Sequence, residues 1–153
     1  MRKLILIIFV FVLQGCVANP TTKLQSENLV GTWLLEDFGS EEYSHSILAF
    51  LDDGTKCVVT YDFLTDGTVA FSYYFNQYKL ENSELVTTVG KSNSKYLPAG
   101  YEIRDKIKKL TATEFALVMV KPESDHPRVE RHIRLKNENP TRVCDVVKEK
   151  LNL

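Results

Sequence analysis

The sequence predicts an all-β protein, an antiparallel up-and-down barrel of about eight strands followed by a C-terminal amphipathic helix. From residue 29 onward, several short segments alternate apolar and polar side chains, as strands with one buried face do. Asp-Gly pairs, which tolerate the positive φ of tight hairpin turns, separate some of these segments. The last residues instead repeat their apolar positions at helical intervals. A β-sandwich is the alternative, but a barrel leaves no exposed sheet edge.

The chain begins with a segment that is typical of a secretion signal. Arg2 and Lys3 precede an apolar run at 4–13, which is too short for a membrane-spanning helix of roughly 20 residues. The run ends in Leu13-Gln14-Gly15-Cys16. This resembles the lipobox of bacterial prolipoproteins, although Gln14 departs from the usual small or β-branched residue. We expect residues 1–15 to be removed as a signal peptide.

In such lipoproteins the cysteine carries the lipid, so the resemblance implies that Cys16 bears acyl chains such as palmitate. The alternative is an ordinary secretory signal with a chance cysteine. Residue 17 is Val rather than Asp, and the absence of Asp there favours the outer membrane if the organism is Gram-negative. The polar stretch 16–28 is predicted to be a tether. We expect the protein in the cell envelope, lipid-anchored at the periplasmic face of the outer membrane.

Size and charge narrow the class of the remaining chain. Removal of 15 of the 153 residues leaves 138, which suits one domain with one core. The 19 basic and 20 acidic residues nearly cancel, and they form no basic stripe. A nucleic-acid partner is therefore not expected, because phosphate binding requires concentrated Lys and Arg.

The first half of the predicted barrel alternates most clearly around its Asp-Gly turns. Strands are predicted at 29–36, 46–51, 56–64 and 68–75, with shorter candidates at 78–80 and 85–89. Asp52-Asp53-Gly54 and Thr65-Asp66-Gly67 provide two of the turns. In the fourth segment one face carries four large apolar residues: Val69, Phe71, Tyr73 and Phe75.

The second half adds three strands, at 101–109, 114–121 and 129–135, after a polar loop. In the first of these, one face carries Tyr101, Ile103, Asp105 and Ile107. In the last, the apolar face is predicted to be Val129, Arg131, Ile133 and Leu135, with Glu130, His132 and Arg134 on the wet face. A C-terminal helix capped by Thr141 is predicted from the spacing of Val143, Val146, Val147, Lys150 and Leu151.

Three ordered segments resemble the lipocalin-like domains of bacteria, and the likeness spans most of residues 29–136. They are Leu29-Val-Gly-Thr-Trp33, Phe63-Leu-Thr-Asp-Gly-Thr68 and Ile107-Lys-Lys-Leu-Thr-Ala-Thr-Glu-Phe-Ala-Leu117. The resemblance implies a barrel at 29–136, with the helix at 137–153 packed against it. It also implies that Trp33 closes the barrel floor beneath an arginine. The candidate is Arg131, with Arg128 and Arg134 as competitors; these roles are structural.

The remaining cysteines, Cys57 and Cys144, form an even pair in an oxidising compartment. A disulfide between them would fasten the C-terminal helix to a strand, as in many lipocalins. The alternative is two buried free thiols.

Asp105 interrupts an otherwise apolar strand face. One interpretation is an internal ion pair or a strand end near solvent, since an unpaired buried charge is costly. The other is a polar anchor for a ligand head group inside an apolar cup. That cup would be lined by the aromatic residues Tyr61, Phe71, Tyr73 and Tyr101. Aromatic residues on one strand face can equally be plain core.

Catalytic and metal-binding patterns are missing from the sequence. His45, His126 and His132 have no neighbouring His or Cys at ligand spacing, and each is interpreted as a surface residue. There is no Gly-x-Ser-x-Gly motif, and Asp52-Asp53-Gly54 lacks the further carboxylates of a calcium loop. We expect no enzyme, no metal and no cofactor.

These observations predict a lipid-anchored envelope lipoprotein whose barrel binds or carries a small apolar or amphipathic ligand. Its partners would be the membrane, through the lipid, and a small hydrophobic ligand. The alternative is a barrel with a filled core that contacts protein partners, in envelope maintenance or as an enzyme inhibitor.

Overall fold

The computed structural model describes residues 26–36, 44–123, 125 and 127–153. The predicted signal peptide 1–15, the predicted lipidation site Cys16, most of the predicted tether and His126 lie outside the described residues. A short 3-10 turn at Ser26–Asn28 leads into the strands β1 Gly31–Glu36, β2 Ser44–Phe50, β3 Thr55–Phe63, β4 Val69–Glu81, β5 Glu84–Ser92, β6 Glu102–Leu110, β7 Glu114–Lys121 and β8 Val129–Arg134, and the helix α1 is Pro140–Leu151.

The eight strands form a closed antiparallel barrel. Each strand pairs with its neighbours in sequence, and β8 pairs with β1, where Arg134 lies opposite Trp33. The predicted fold class, an eight-stranded barrel with a C-terminal helix, is therefore confirmed. The segments predicted at 68–75 and 78–80 are one long strand, β4, which turns into β5 through Asn82 and Ser83 at positive φ. The polar residues between the two segments do not interrupt the strand.

An apolar cluster fills one end of the barrel, which we call the floor. In an up-and-down barrel the hairpins after β2, β4 and β6 share this end with the start of β1. The clustered side chains come from most of the strands: Leu29, Trp33, Leu48, Phe50, Leu85, Ile107, Phe115 and Leu117. Trp33 is fully buried, meets Phe115 edge to face at 4.8 Å between ring centroids, and donates from Nε1 to the carbonyl of Leu29 at 2.8 Å. This packed layer closes the barrel at that end.

The arginine that covers Trp33 is Arg134, so the assignment to Arg131 is wrong. The Arg134 guanidinium lies 4.1 Å from the Trp33 ring centroid, whereas Arg131 is exposed. Residues 129–135 alternate a mostly apolar face with a polar one, and the apolar face was taken as the inner one. The inner face carries the polar set Glu130, His132 and Arg134, and His132 is buried rather than wet.

The helix α1 packs on the outside of β2, β3 and β4. Cys144, Val147 and Leu151 are buried against Ala49 and Cys57. The predicted disulfide is present, with the Cα atoms of Cys57 and Cys144 5.3 Å apart.

The cap of the helix differs from the prediction, because Asn139 rather than Thr141 caps the N-terminus. The Asn139 side chain accepts from the Thr141 backbone N–H at 2.9 Å. Within the part of the chain that the structure describes, no helix combines the length and apolar character needed to cross a bilayer.

Candidate functional site

The barrel interior is hollow above the floor. A cavity of about 210 Å³ is lined by side chains from all eight strands. Its apolar lining includes Leu35, Val58, Ile103 and Met119, and Leu97 contributes from the loop before β6. Its polar lining includes Lys56, Asn76, Thr87, Asp105, Glu130 and His132. The cavity therefore combines an apolar wall with a set of buried polar groups.

Lys56 is the only lysine among the residues that line the cavity, and its side chain extends inward from β3. It is 7% exposed, donates to the Thr87 hydroxyl at 3.2 Å, and its Nζ lies 5.5 Å from the Phe50 ring centroid. Burial lowers the pKa of Lys56, while the negative charges of Asp105 and Glu130 act in the opposite direction. Lys56 was not among the predicted site residues, because the other face of β3 was predicted to be the inner one.

Asp105 faces the interior, as the alternation of β6 predicts, and is 4% exposed. Burial raises the pKa of its carboxyl group, and the charge of Lys56 offsets part of this effect. The carboxyl group makes no hydrogen bond or ion pair with any described residue. An ion at such a position is costly unless water or a ligand solvates it. Its role as a ligand anchor stays a prediction.

His132 lies at the boundary between the cavity and the floor. Its ring stacks in parallel on Phe115, with centroids 4.1 Å apart. Burial and the positive charge of Lys56 lower the pKa of His132 to about 3, so the imidazole is neutral at neutral pH. Its Nε2 lies 3.9 Å from a carboxylate oxygen of Glu130, and its buried Nδ1 has no partner among the described residues.

Asn76, on β4, adds a second unsatisfied group. The residue is 3% exposed, and its buried Oδ1 has no hydrogen-bond partner among the described residues. Buried side-chain oxygens are normally hydrogen-bonded, so water or a ligand is expected to fill this requirement. Asn76 is a polar residue within an aromatic segment, but it lies between the strands predicted at 68–75 and 78–80 and was not singled out.

The aromatic residues that were predicted to line the cup lie elsewhere. Tyr61 and Phe71 face outward, where Tyr61 stacks on His45 at 5.0 Å and Phe71 is 51% exposed. Tyr73 packs near the helix, and Tyr101 lies just before β6 without lining the cavity. The reason is that α1 covers part of the outer face of β3 and β4. Both faces of these strands are therefore partly apolar, and alternation alone does not identify the inner one.

No three or more His, Cys, Asp or Glu side chains in the described ranges are grouped so that they could hold a metal ion.

No family model matches the sequence, and no curated protein matches it. Among solved structures, the chain is similar to a lipocalin-like protein from Bacteroides uniformis, with 18% identity and a TM-score of 0.43. The match covers 70% of this chain and 97% of that chain. The strand pairing of this chain itself shows the closed barrel.

Proposed function

We propose that the barrel binds a small amphipathic molecule in its interior cavity. The observation that carries this proposal is a hollow interior in which buried polar groups lie beside an apolar wall. The buried carboxyl group of Asp105 supports the proposal, because such a group destabilises a protein unless water or a ligand solvates it. Ligand sites commonly combine an apolar lining with a few convergent polar groups.

The size of the cavity limits the ligand. Its volume of about 210 Å³ is below the roughly 300–1,000 Å³ of pockets that enclose drug-sized molecules. The proposed ligand is therefore a short amphiphile. The cavity above the floor also disfavours the alternative of a completely filled core.

The proposal includes lipid anchoring of the protein in the cell envelope through Cys16. Its support comes from the sequence alone: the basic start, the short apolar run and the Gly15-Cys16 pair at its end. Anchoring at the periplasmic face of the outer membrane would hold the barrel near molecules that partition into lipid. Binding or carriage, without catalysis, is the proposed activity. Mass spectrometry of the mature protein tests the anchor: cleavage without an acylated Cys16 would exclude it.

Binding is tested with three six-carbon probes on the full chain: hexylamine, 1-hexanol and hexanoate, each titrated at pH 7 and followed by NMR. We expect saturable binding of at least one probe. Val89 lines the cavity, whereas its neighbour Thr88 is exposed on the same strand. Val89→Trp should therefore abolish binding by occupying the cavity, and Thr88→Trp should leave it unchanged. Equal binding by both variants would show that the probes bind outside the cavity.

A further inference from the structure

Lys56 is the one buried lysine among the residues that the structure describes. Its side chain lines the cavity, so a molecule bound there can reach its amine. The Thr87 hydroxyl accepts a hydrogen bond from Nζ at 3.2 Å, and the centroid of the Phe50 ring, which belongs to the floor, lies 5.5 Å from Nζ. A buried amine therefore lies at the base of the proposed ligand site.

An apolar path leads from Lys56 towards the open end of the barrel. Lys56 is the second residue of β3, which starts at the floor, and Val58 follows on the same inner face. Leu35 from β1 and Met119 from β7 line the same space. A short alkyl chain along this path would have its functional group next to the amine.

Resting on the proposed binding function, we infer that Lys56 holds its ligand covalently, as an imine between Nζ and the carbonyl carbon of a short aldehyde. Buried lysines form such bonds because a desolvated amine holds its proton less tightly and is a better nucleophile. Burial lowers the pKa of Lys56, whereas the charges of Asp105 and Glu130 act in the opposite direction. An alcohol or an amine has no electrophilic carbon, and a carboxylate is unreactive towards amines, so only the aldehyde gains this bond.

The imine forms without any further reactant. The Nζ lone pair forms the N–C bond while the carbonyl π electrons move to oxygen, and a proton passes from nitrogen to that oxygen. The resulting hydroxyl leaves as water with the second amine proton, while the nitrogen lone pair closes the C=N bond. One amine and one aldehyde thus give one imine and one water.

Two polar residues of the lining suit this step. Asn76 lies opposite Lys56 in the β3–β4 pair, and its Oδ1, which has no partner among the described residues, can accept from the transient hydroxyl. The carboxyl group of Asp105 lines the same cavity, and burial raises its pKa. It is therefore a group that can exchange the transferred protons inside the barrel.

Reductive trapping with hexanal on the full chain tests the inference. Hexanal has the length of the six-carbon probes, and cyanoborohydride reduces an imine to a stable secondary amine that carries a hexyl group. At pH 7 and equimolar hexanal, peptide mass spectrometry should find the hexyl group on Lys56. Its labelling should be at least about tenfold faster than that of any other lysine, because the cavity holds the carbonyl group beside the amine.

Matched controls separate the cavity from general lysine chemistry. Lys108 is exposed on β6, so Lys108→Met should leave the labelling of Lys56 unchanged, whereas Lys56→Met should reduce total labelling to that of the surface lysines. Val89→Trp should protect Lys56, and Thr88→Trp should not. In urea, Lys56 and Lys108 of the unfolded chain should react at equal rates.

The outcomes distinguish this inference from the binding proposal. If 1-hexanol binds in the cavity but Lys56 reacts no faster than Lys108, the cavity binds ligands and the covalent inference is wrong. If Lys56 keeps its preference in Val89→Trp or in urea, the reaction does not depend on the cavity, and the inference is also wrong. If no probe binds and Lys56 is not labelled preferentially, both proposals fail. Preferential labelling that Val89→Trp abolishes supports both.

Discussion

Replacing Arg134 with Met tests how far the barrel floor depends on a single guanidinium group. That group lies 4.1 Å from the Trp33 ring centroid. It also donates to three backbone carbonyls: those of Val30 and Ala112, each at 2.6 Å, and that of Asn28. One side chain therefore ties the segment before β1 and the turn after β6 to the end of β8. Met retains apolar packing but removes the charge and all of these donors.

The magnitude follows from these contacts. A cation over an indole ring contributes about 0.5–2 kcal/mol. Hydrogen bonds to a charged donor contribute about 1.5–3 kcal/mol each, but the half-buried site lets water reach part of the freed carbonyls, so about 1 kcal/mol each is the better figure here. The expected decrease in the free energy of unfolding is about 3.5–5 kcal/mol. Arg134→Lys keeps the charge but loses the planar donor geometry, so its free energy of unfolding should lie between those of the unaltered protein and Arg134→Met.

Urea unfolding followed by tryptophan fluorescence measures this decrease well, because Trp33 is the one tryptophan in the sequence and reports on the floor itself. Arg131→Met is the matched control: the same substitution three residues earlier on β8, at an exposed position. It should change stability by less than about 0.5 kcal/mol. Equal losses in the two variants would refute the account of the floor.

Three further substitutions test other parts of the structure by urea unfolding. In Gly31→Ala the new Cβ would lie 2.2 Å from the Arg134 guanidinium, at a φ of 140°. The control is Gly100→Ala, whose Cβ meets no atoms within 4 Å and which costs about 1 kcal/mol of backbone strain. Gly31→Ala should lower the free energy of unfolding by more than this control does. Equal losses would count against a tightly held guanidinium. Removing the disulfide by Cys57→Ser with Cys144→Ser should cost about 2–5 kcal/mol, and reductant should then have no further effect; an unchanged midpoint would contradict this. The pKa of His132 is about 3 in the folded protein, against an ordinary value of 6.5. As the pH falls, the unfolded chain therefore takes up this proton first. The free energy of unfolding should not depend on this group above pH 6.5, and it should decrease between pH 6.5 and 3 by up to about 1.4 kcal/mol per pH unit. His132→Phe should lose this part of the slope, and identical slopes between pH 7 and 4.5 would show that His132 is not the cause.

Local signals predicted the fold because barrels of this kind are built from local contacts. The Asp-Gly turn at 52–54 joins neighbouring strands, and the alternation of β6 correctly placed Asp105 and Ile107 on the inner face. Such patterns need only the strand and its neighbour to be interpreted. The helical spacing near the C-terminus likewise identified α1, since Cys144, Val147 and Leu151 form its buried face.

The site was harder to predict, because it depends on which face of each strand is enclosed. On β8 the inner face is the polar one, with His132 and Arg134, and it was taken as the wet face. On β3 and β4 the outer face is apolar as well, since α1 packs on it. A period of two shows which residues share a face of a strand, but not which face is enclosed by the barrel. Only a tertiary contact decides between the two faces.

The predicted disulfide contained that tertiary information. An eight-stranded barrel is too narrow to enclose a helix, so a helix joined to Cys57 lies outside the barrel and Cys57 must face outward. Alternation along β3 then places Tyr61 outward with it and turns Lys56 and Val58 inward. The polar residue on that inner face is next to the floor residue Phe50 across the β2–β3 pair. A buried charge is stable only where water, a ligand or a polar group solvates it. Lys56 therefore lies at the boundary between the packed floor and the cavity.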